Sequence, residues 1–514
     1  MSGISRSPQS KVQDIGVLAQ KLAMLKAEGN LIALCHGVFD LVHPGHIRLL
    51  EAARKGTDLL VVTVVADDFV NKGPGHPVYN QRLRAETLAA LEVVDFVSIV
   101  DSLSAAPAIL QLKPDVYARG QVIGGEVDSP RLDGDLAEEG ALSAVGGRLH
   151  VVEDIMFSST NLLNAYFGVF PPETDLFLRS FRAEYSAEQI VAHLEGLRDL
   201  KVLVVGDSIV DEYHFCRPYG MASKSTGLAA QFIEAEAYAG GALAVANHVA
   251  GYCDQVQLVT VLGGKDAREE FIRAHLKPNI TPRFFFRPDG PTVIKRRFVR
   301  PFLTLKLFEI AIFDDHPLPD EVNRELTDFV SGVIANFDLV IIADFGHGMI
   351  GPELVDILSQ RSSYAALNVQ LNSANYGFNV VSKYPHADYV CIDEEETRMA
   401  GRARYEPLEA LVARLAGALQ VDTMTVTRGH NGSITYKRGD GFTHTPVLSR
   451  EVVDPIGAGD AYLSIASLCA CKGYPPELVG FIGNAAGAVA VRIVGNKSSV
   501  EPRELYQFIR TLLK

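Results

Sequence analysis

Tryptophan is absent from the 514 residues, and its absence carries no functional information. Three other shortages do. Cysteine is scarce: Cys35, Cys216, Cys253, Cys391, Cys469 and Cys471 lie scattered, mostly within apolar runs, with no CxxC pair and no zinc-ligand spacing. A disulfide framework is thereby excluded, and buried reduced thiols are expected. No uninterrupted apolar run reaches the length of a membrane span, and no apolar stretch follows Arg6 and Lys11, so neither an anchor nor a secretory leader is expected and the expected location is cytoplasmic. Positive charge is in deficit as well. Lys plus Arg number 48 against 62 Asp plus Glu, a net charge of −14, so no overall field gathers nucleic acid or an anionic membrane. Any anionic substrate must be captured by local groups.

What is present is ordinary for a globular protein, 47% hydrophobic and 21% charged, in a chain too long for one core. Short β-branched runs at 31–35, 59–65, 96–100, 116–118 and 149–152 alternate with helix-length segments, which predicts a parallel sheet with crossover helices. Pro171-Pro172 interrupts the pattern. It restarts at Lys201, with further core strands expected at 257–261, 339–343, 389–392 and 423–426. An alternating, arginine-rich segment from Pro282 to Ile312 reads as a small β-lid with one solvent face. The expected organisation is an α/β domain over 13–170, a linker and helix over 171–199, and a second α/β domain over 200–514.

Two constellations carry chemistry. After the first strand comes His36-Gly37-Val38-Phe39-Asp40-Leu41-Val42-His43-Pro44-Gly45-His46, a glycine-containing turn running into a helix. Such a turn directs backbone N–H groups and the positive helix end at phosphate, and two imidazoles three apart can bond the oxygens of one phosphate chain. In the second half, Asp454-Pro455-Ile456-Gly457-Ala458-Gly459-Asp460 precedes a long small-residue segment. The amides of Gly457, Ala458 and Gly459 can converge as an anion hole, and Asp460 can take a proton from an attacking alcohol.

The first pattern, GxFDxxHxGH, resembles the signature of the cytidylyltransferase-like nucleotidyltransferases over about the first 170 residues. The resemblance implies a Rossmann-like fold in which His43, His46 and Lys72 act on the triphosphate and Gly37, Phe39, Asp40, Arg119, Ser159 and Thr160 bind the nucleotide. The implied reaction is attack of a sugar- or polyol-phosphate oxygen on the α-phosphorus of ATP or CTP, with Mg²⁺ and release of pyrophosphate. The base of the triphosphate stays open.

The DxxGAGD form resembles the ribokinase-like PfkB family over about 200–514. It implies Asp460 as catalytic base, with Thr427, Gly429, Gly432 and Asn484 beside the nucleotide. Asp207, Asp211, Gly240, Gly241, Lys295 and Asp344 would lie beside the sugar, and Glu396 would organise Mg²⁺ through water. Asn484 is read equally well as a core asparagine satisfied by backbone. Three departures touch the sugar and metal surroundings: Asp393 and Ala244 stand where the family has asparagines, and Asn368-Val369-Gln370 stands where Asp-Pro-Lys is common.

The pairing resembles the bifunctional heptose-phosphate kinase/adenylyltransferases of bacterial lipopolysaccharide synthesis, with the two modules in reversed order. That implies a sugar or sugar-phosphate substrate, ATP or CTP, no nucleic-acid or membrane partner, and a homo-oligomer, a dimer. A second enzymatic reading makes the kinase-like domain a nucleotide sensor. A third, from another class, is a scaffold of inactive modules that binds no nucleotide.

Overall fold

The computed structural model describes residues 8–70, 77–122, 131–155, 170–224, 226–301, 305–373, 375–449 and 452–514. The chain separates into two compact units at residues 169 and 170.

In the first unit, strands β1 (Ile32–Gly37), β2 (Leu59–Val65), β3 (Phe96–Val100), β4 (Val116–Val122) and β5 (Arg148–Ile155) form a parallel sheet in the order β3-β2-β1-β4-β5. Their continuous apolar runs are explained by helices covering both faces: Ala33, Cys35, Val62 and Val64 pack into one buried cluster, and Ile32, Leu34 and Val61 into another. The order of strands reverses at β1. Its carboxyl end, where the chain turns into the helix Pro44–Arg54, therefore opens beside the crevice between β1 and β4.

The second unit begins earlier than the expected linker allows. Helices Pro172–Glu184 and Ala187–Glu195 place Leu178, Phe181, Ile190 and Leu194 in its main core, with the Phe181 ring 4.3 Å from that of Phe481. The polar residues that make this stretch look like a linker are the solvent faces of two amphipathic helices.

The large sheet holds β6 (Lys201–Gly206), β9 (Gln255–Lys265), β10 (Ile280–Pro291), β13 (Leu339–Asp344), β14 (Ala365–Val369), β15 (Tyr389–Asp393), β16 (Thr423–Thr427), β17 (Ser433–Lys437) and β18 (Gly441–Thr445). Their order is β10-β9-β6-β13-β14-β15-β16-β17-β18. All pairings are parallel up to β16, and the last two strands close it antiparallel. A second, four-stranded sheet forms the lid, in the order β12-β11-β7-β8, from β7 (Ser208–Met221), β8 (Leu228–Gly241), β11 (Val293–Arg300) and β12 (Leu305–Ile312).

The expected lid is thus corrected in two respects: it loses β10 and gains β7 and β8. Its first third, β10, is the edge of the large sheet, where one open face gives the same alternation as a lid strand. After β6 the chain runs directly into β7, with Asp207 alone between them. Asp211 accordingly lies on a lid strand, directly opposite Lys295 of β11 and Tyr238 of β8.

Candidate active sites

At the end of β1, Phe39 adopts a left-handed backbone conformation, φ 48°, which few non-glycine residues take up outside over-determined sites. Its ring lies 5.1 Å from that of His46. His43 caps the following helix: its Nδ1 accepts the Gly45 amide at 3.1 Å, so its neutral form carries the proton on Nε2. His46 Nδ1 donates to the Leu41 carbonyl at 3.1 Å, which leaves Nε2 as the other reactive nitrogen. The two rings sit 4.0 Å apart. The HxGH spacing thus yields a pair of imidazoles whose tautomers are set by the turn itself.

Asp40 is buried and accepts the Val78 amide at 2.6 Å, tying the turn to the segment that leads into the helix Gln81–Ala89. Arg119 stands on β4, one residue beyond the Cys35–Ala118 pair and so on the crevice side of β1, with Glu139 3.5 Å away. Gly37 ends β1, with space beside it for the Phe39 ring. Lys72, Ser159 and Thr160 lie outside the described residues.

Sequence reasoning missed Arg84. Its guanidinium, wholly buried, donates to the carbonyls of Val38 and Val65, and its Nη2 pairs with Asp67 at 2.6 Å while Nε bonds the Tyr79 carbonyl at 2.9 Å. It therefore pins together the turns after β1 and β2. An arginine on the core-facing side of a short helix was the available signal.

In the second unit the parallel strands deliver Asp207, Asp344, Gln370, Asp393 and Thr427 to one edge of the sheet, as the ends of β6, β13, β14, β15 and β16. Gly457, at φ 85°, opens the helix Ala458–Cys471, and a Cβ there would stand 2.3 Å from Asn496 Oδ1. Asp460, in the first turn, is buried, and Gln370 Nε2 donates to its Oδ1 at 2.9 Å. Burial, reinforced by Asp211, pushes Asp460 up to about 7, against the pull of Gln370 and Lys295. A carboxylate so placed can hold and release a proton near neutrality.

Asp211 pairs with Arg297 and accepts from Asn496 Nδ2 at 3.2 Å, and Gly240 passes so close that a Cβ would meet Asp211 Oδ2 at 2.2 Å. Gly241 follows at the start of the helix Ala242–Ala250. Lys295, Asp211 and Arg297 share the lid face turned toward this site. His347 is buried beside Lys295 and Arg287. Desolvation and those two cations lower it to about 4, and neither ring nitrogen has a hydrogen-bond partner among the described residues.

Other expected residues prove internal. Asp207 Oδ2 accepts the amides of Phe345 at 3.0 Å and His347 at 3.4 Å. Asp344 is held by the Tyr384 hydroxyl at 2.7 Å, by Lys383, and by the Gly346 amide at 3.1 Å. Both carboxylates thereby shape the 344–348 turn. The polar run after Gln370 does the same from the other side: Asn372 and Asn375 donate to the Phe345 carbonyl at 2.9 and 3.1 Å.

Glu396 and Asp393 form a reciprocal cap. Asp393 Oδ1 accepts the Glu396 amide at 2.7 Å, and Glu396 Oε2 accepts the Asp393 amide at 2.8 Å. Asparagine would cap the helix equally well, so Asp393 keeps the local geometry. Glu396 Oε1 is spent on the Leu371 amide at 3.0 Å, and burial with Asp393 pushes the carboxyl up to about 8. A buried carboxyl committed to two amides is held back from direct ligation of Mg²⁺, which leaves the expected contact through water as the arrangement these residues fit. Ala244 is buried within its helix.

Thr427, Gly429 and Gly432 build the turn after β16, where the Arg428 amide donates to the Gly432 carbonyl at 2.8 Å. Asn484 donates to Ser433 Oγ at 2.6 Å and to the Gly480 carbonyl at 2.9 Å. Ser433 in turn meets the Tyr462 hydroxyl at 3.0 Å, so this trio joins the helix of Asp460 to the strand following the turn.

Residues 34–128 match the family model described as cytidylyltransferase-like, and residues 335–503 match that of the pfkB family carbohydrate kinases. The chain thus carries a Rossmann-like cytidylyltransferase-like domain followed by a ribokinase-like α/β domain with a small β-lid. The ribokinase-like fold is shared with phosphofructokinase-2 of Escherichia coli, solved in complex with potassium, at 13% identity and a TM-score of 0.50 over 61% of this chain and 100% of that one. Among curated proteins, the Bifunctional protein HldE of Rhodopseudomonas palustris (strain BisA53) is 45% identical over 120 residues, 22% of this chain and 24% of the relative. The protein of the same name from Citrifermentans bemidjiense is 23% identical over 324 residues, 62% of this chain and 65% of the relative. In both cases the chain spans less than two thirds of the relative's length. Among the described residues, no helix is long and apolar enough to cross a membrane.

Proposed function

We propose that the chain is a bifunctional sugar kinase and nucleotidyltransferase that supplies an activated, heptose-like sugar to a bacterial surface polysaccharide. The observation that carries this reading is Asp460, a buried carboxylate poised near neutrality at the mouth of the Gly457–Gly459 turn.

In the second unit, Asp460 takes the proton of a substrate hydroxyl as that oxygen attacks the γ-phosphorus of ATP. The amides of Gly457, Ala458 and Gly459 receive the charge that moves onto the phosphoryl oxygens, and ADP leaves. Asp211 and Lys295 hold the sugar from the lid, backed by Gly240 and Gly241, and Thr427, Gly429 and Gly432 frame the nucleotide. The His347 imidazole, which has no hydrogen-bond partner among the described residues and lies beside Lys295 and Arg287, supports a phosphorylated sugar as the acceptor, since a second phosphate would satisfy it. Mg²⁺ would accompany the triphosphate and offset its charge, with Glu396 organising it through water.

In the first unit, His43 and His46, with Lys72, Ser159 and Thr160, stabilise the α-phosphorus of ATP or CTP while a sugar-phosphate oxygen displaces pyrophosphate. Gly37, Phe39, Asp40 and Arg119 shape the nucleotide's surroundings. The reading includes a cytoplasmic homodimer. Its support is a row of rings on the outer lid face: Phe308 stacks 4.4 Å from Phe298, His214 lies 5.2 Å from Phe298, and Phe232 5.8 Å from His214, with Phe308 and Phe232 exposed.

The deciding experiment incubates the full chain with ATP or CTP and a panel of sugars and sugar phosphates, and identifies products by mass. A phosphorylated sugar plus a nucleotidyl sugar is the expected outcome. Nucleotidyl transfer without any phosphorylated product favours the sensor reading instead.

A further inference from the structure

Asp454 opens the turn that ends at Asp460, yet it is only 1% exposed and faces no solvent. Its acceptor positions are filled from four directions. Oδ1 accepts Lys306 Nζ at 2.9 Å and the Ile456 amide at 3.1 Å, and Oδ2 accepts the Tyr213 hydroxyl at 2.7 Å and the Gly495 amide at 2.9 Å. Two of these donors, Lys306 and Tyr213, come from the lid, and a third is a backbone amide of the anion-hole turn itself.

The path of Lys306 to this position breaks the strand pattern. Along β12, Phe308 pairs with Phe298 and Ile310 with Arg296, both on the outer lid face. Strict alternation would put Lys306 on that face too, in solvent. Instead the register slips between Phe298 and Val299: Lys306 pairs with Val299, which is fully buried beside Tyr213 and Tyr238. A bulge at this point re-aims a single side chain across the sheet. What it delivers is the cation for an enclosed carboxylate, whose ionised form is costly at that depth without one.

We infer that Lys306 is a positioning residue for phosphoryl transfer: its ammonium, carried on the lid's edge strand, neutralises Asp454 and so holds the Asp454–Asp460 turn in the shape that receives the γ-phosphate. The inference rests on the kinase reading of the second unit. Burial alone would raise Asp454, but Lys306, Tyr213 and the Ile456 amide hold it below the usual carboxylate range. With every acceptor position used, Asp454 has no part in moving protons. Its lone pairs fix Ile456, and Gly457 is wedged next to Asn496, which also reaches Asp211. Loss of the ammonium leaves a carboxylate that must protonate or move, and either change withdraws an acceptor from the turn.

The test uses the full chain with Lys306→Met and Lys306→Arg, each with and without added methylammonium. Two readouts are followed: hydrogen exchange of the peptide spanning 452–463, and ATP-dependent ADP release with an accepted sugar, resolved into kcat and KM. Lys306→Met is expected to speed exchange in that peptide and to lower kcat roughly 10- to 100-fold, the scale of a small misplacement of reacting groups. Pyrophosphate release from the first unit stays unchanged. Methylammonium restores part of both losses, and Lys306→Arg retains more activity than Lys306→Met. Unchanged exchange and kcat in Lys306→Met overturn the inference, as does a loss that neither methylammonium nor arginine relieves. A wild-type chain that releases no ADP with any acceptor refutes the kinase reading. In that case the exchange readout alone decides whether Lys306 holds the turn.

Discussion

Gln370 donates its side-chain amide to Asp460 Oδ1 at 2.9 Å, and its own backbone is fixed on both sides. Its N–H bonds the Asp344 carbonyl at 2.9 Å, and the neighbouring Leu371 amide bonds Glu396 Oε1 at 3.0 Å. The base of the kinase reading is therefore oriented by a residue standing where the family commonly has lysine. A neutral donor there steadies the carboxylate without the deep pKa depression that a cation would impose.

Kinase turnover should accordingly fall as pH drops through about 7, because Asp460 must be ionised to accept a proton. Gln370→Leu removes a contact that favours the ionised form, so the acid limb of kcat/KM should move to higher pH, with Asp211 and Lys295 still facing the group. An acid limb at the same pH as wild type would show that Gln370 does not tune Asp460.

The two chemistries should separate cleanly by mutation. Asp460→Asn is expected to abolish sugar phosphorylation and leave pyrophosphate release intact, and His46→Ala to do the reverse. Losses of about 100-fold or more are anticipated for each, the scale of removing one group that stabilises developing charge or moves a proton. Measuring ADP and pyrophosphate in the same reaction checks both; joint loss in either variant would contradict independent sites.

Much of this layout is legible in the sequence because buried parallel strands are apolar without interruption and both motif turns run directly into helix starts. The less legible parts have physical causes. β10 and the lid strands alternate alike, since each has one open face, so periodicity alone could not assign Phe284 and Phe285 to the large sheet. β7 carries Asp211 and Glu212 in mid-strand, which reads as a turn until Arg297 and Arg296 are seen to pair with them. Asp393 is a departure by residue type alone, yet a cap needs only a side-chain acceptor.

Arg84 offers a test of the first unit. Replacing it with methionine keeps the apolar stem but leaves the Val38, Val65 and Tyr79 carbonyls and Asp67 without their donor. A loss of about 3 kcal/mol is expected, at the scale of breaking a buried charged network. Nucleotidyl transfer should drop while sugar phosphorylation persists, and calorimetry should show one unit unfolding earlier. Unaltered unfolding would mean that the turns after β1 and β2 are held by other contacts.

Asp207 ties pH to the stability of the second unit. Burial, then the nearby charge of Asp344, pushes its carboxyl from 3.8 up to about 6. Below 3.8 the group is protonated in both folded and unfolded chains, and its contribution is fully present. Between 3.8 and 6 the folded chain keeps a proton that the unfolded chain has lost, so stability falls as pH rises, by a total on the order of 3 kcal/mol. The Asp207→Asn side chain carries no charge at any pH, and its carbonyl oxygen can still accept the Phe345 and His347 amides. This variant should therefore unfold near the wild-type temperature at pH 4 but several degrees higher at pH 8. Asp460 and Glu396 titrate in both proteins, so their contributions cancel in the difference. A gap between the two melting temperatures that does not change with pH would show that Asp207 is ionised at little cost in the folded chain.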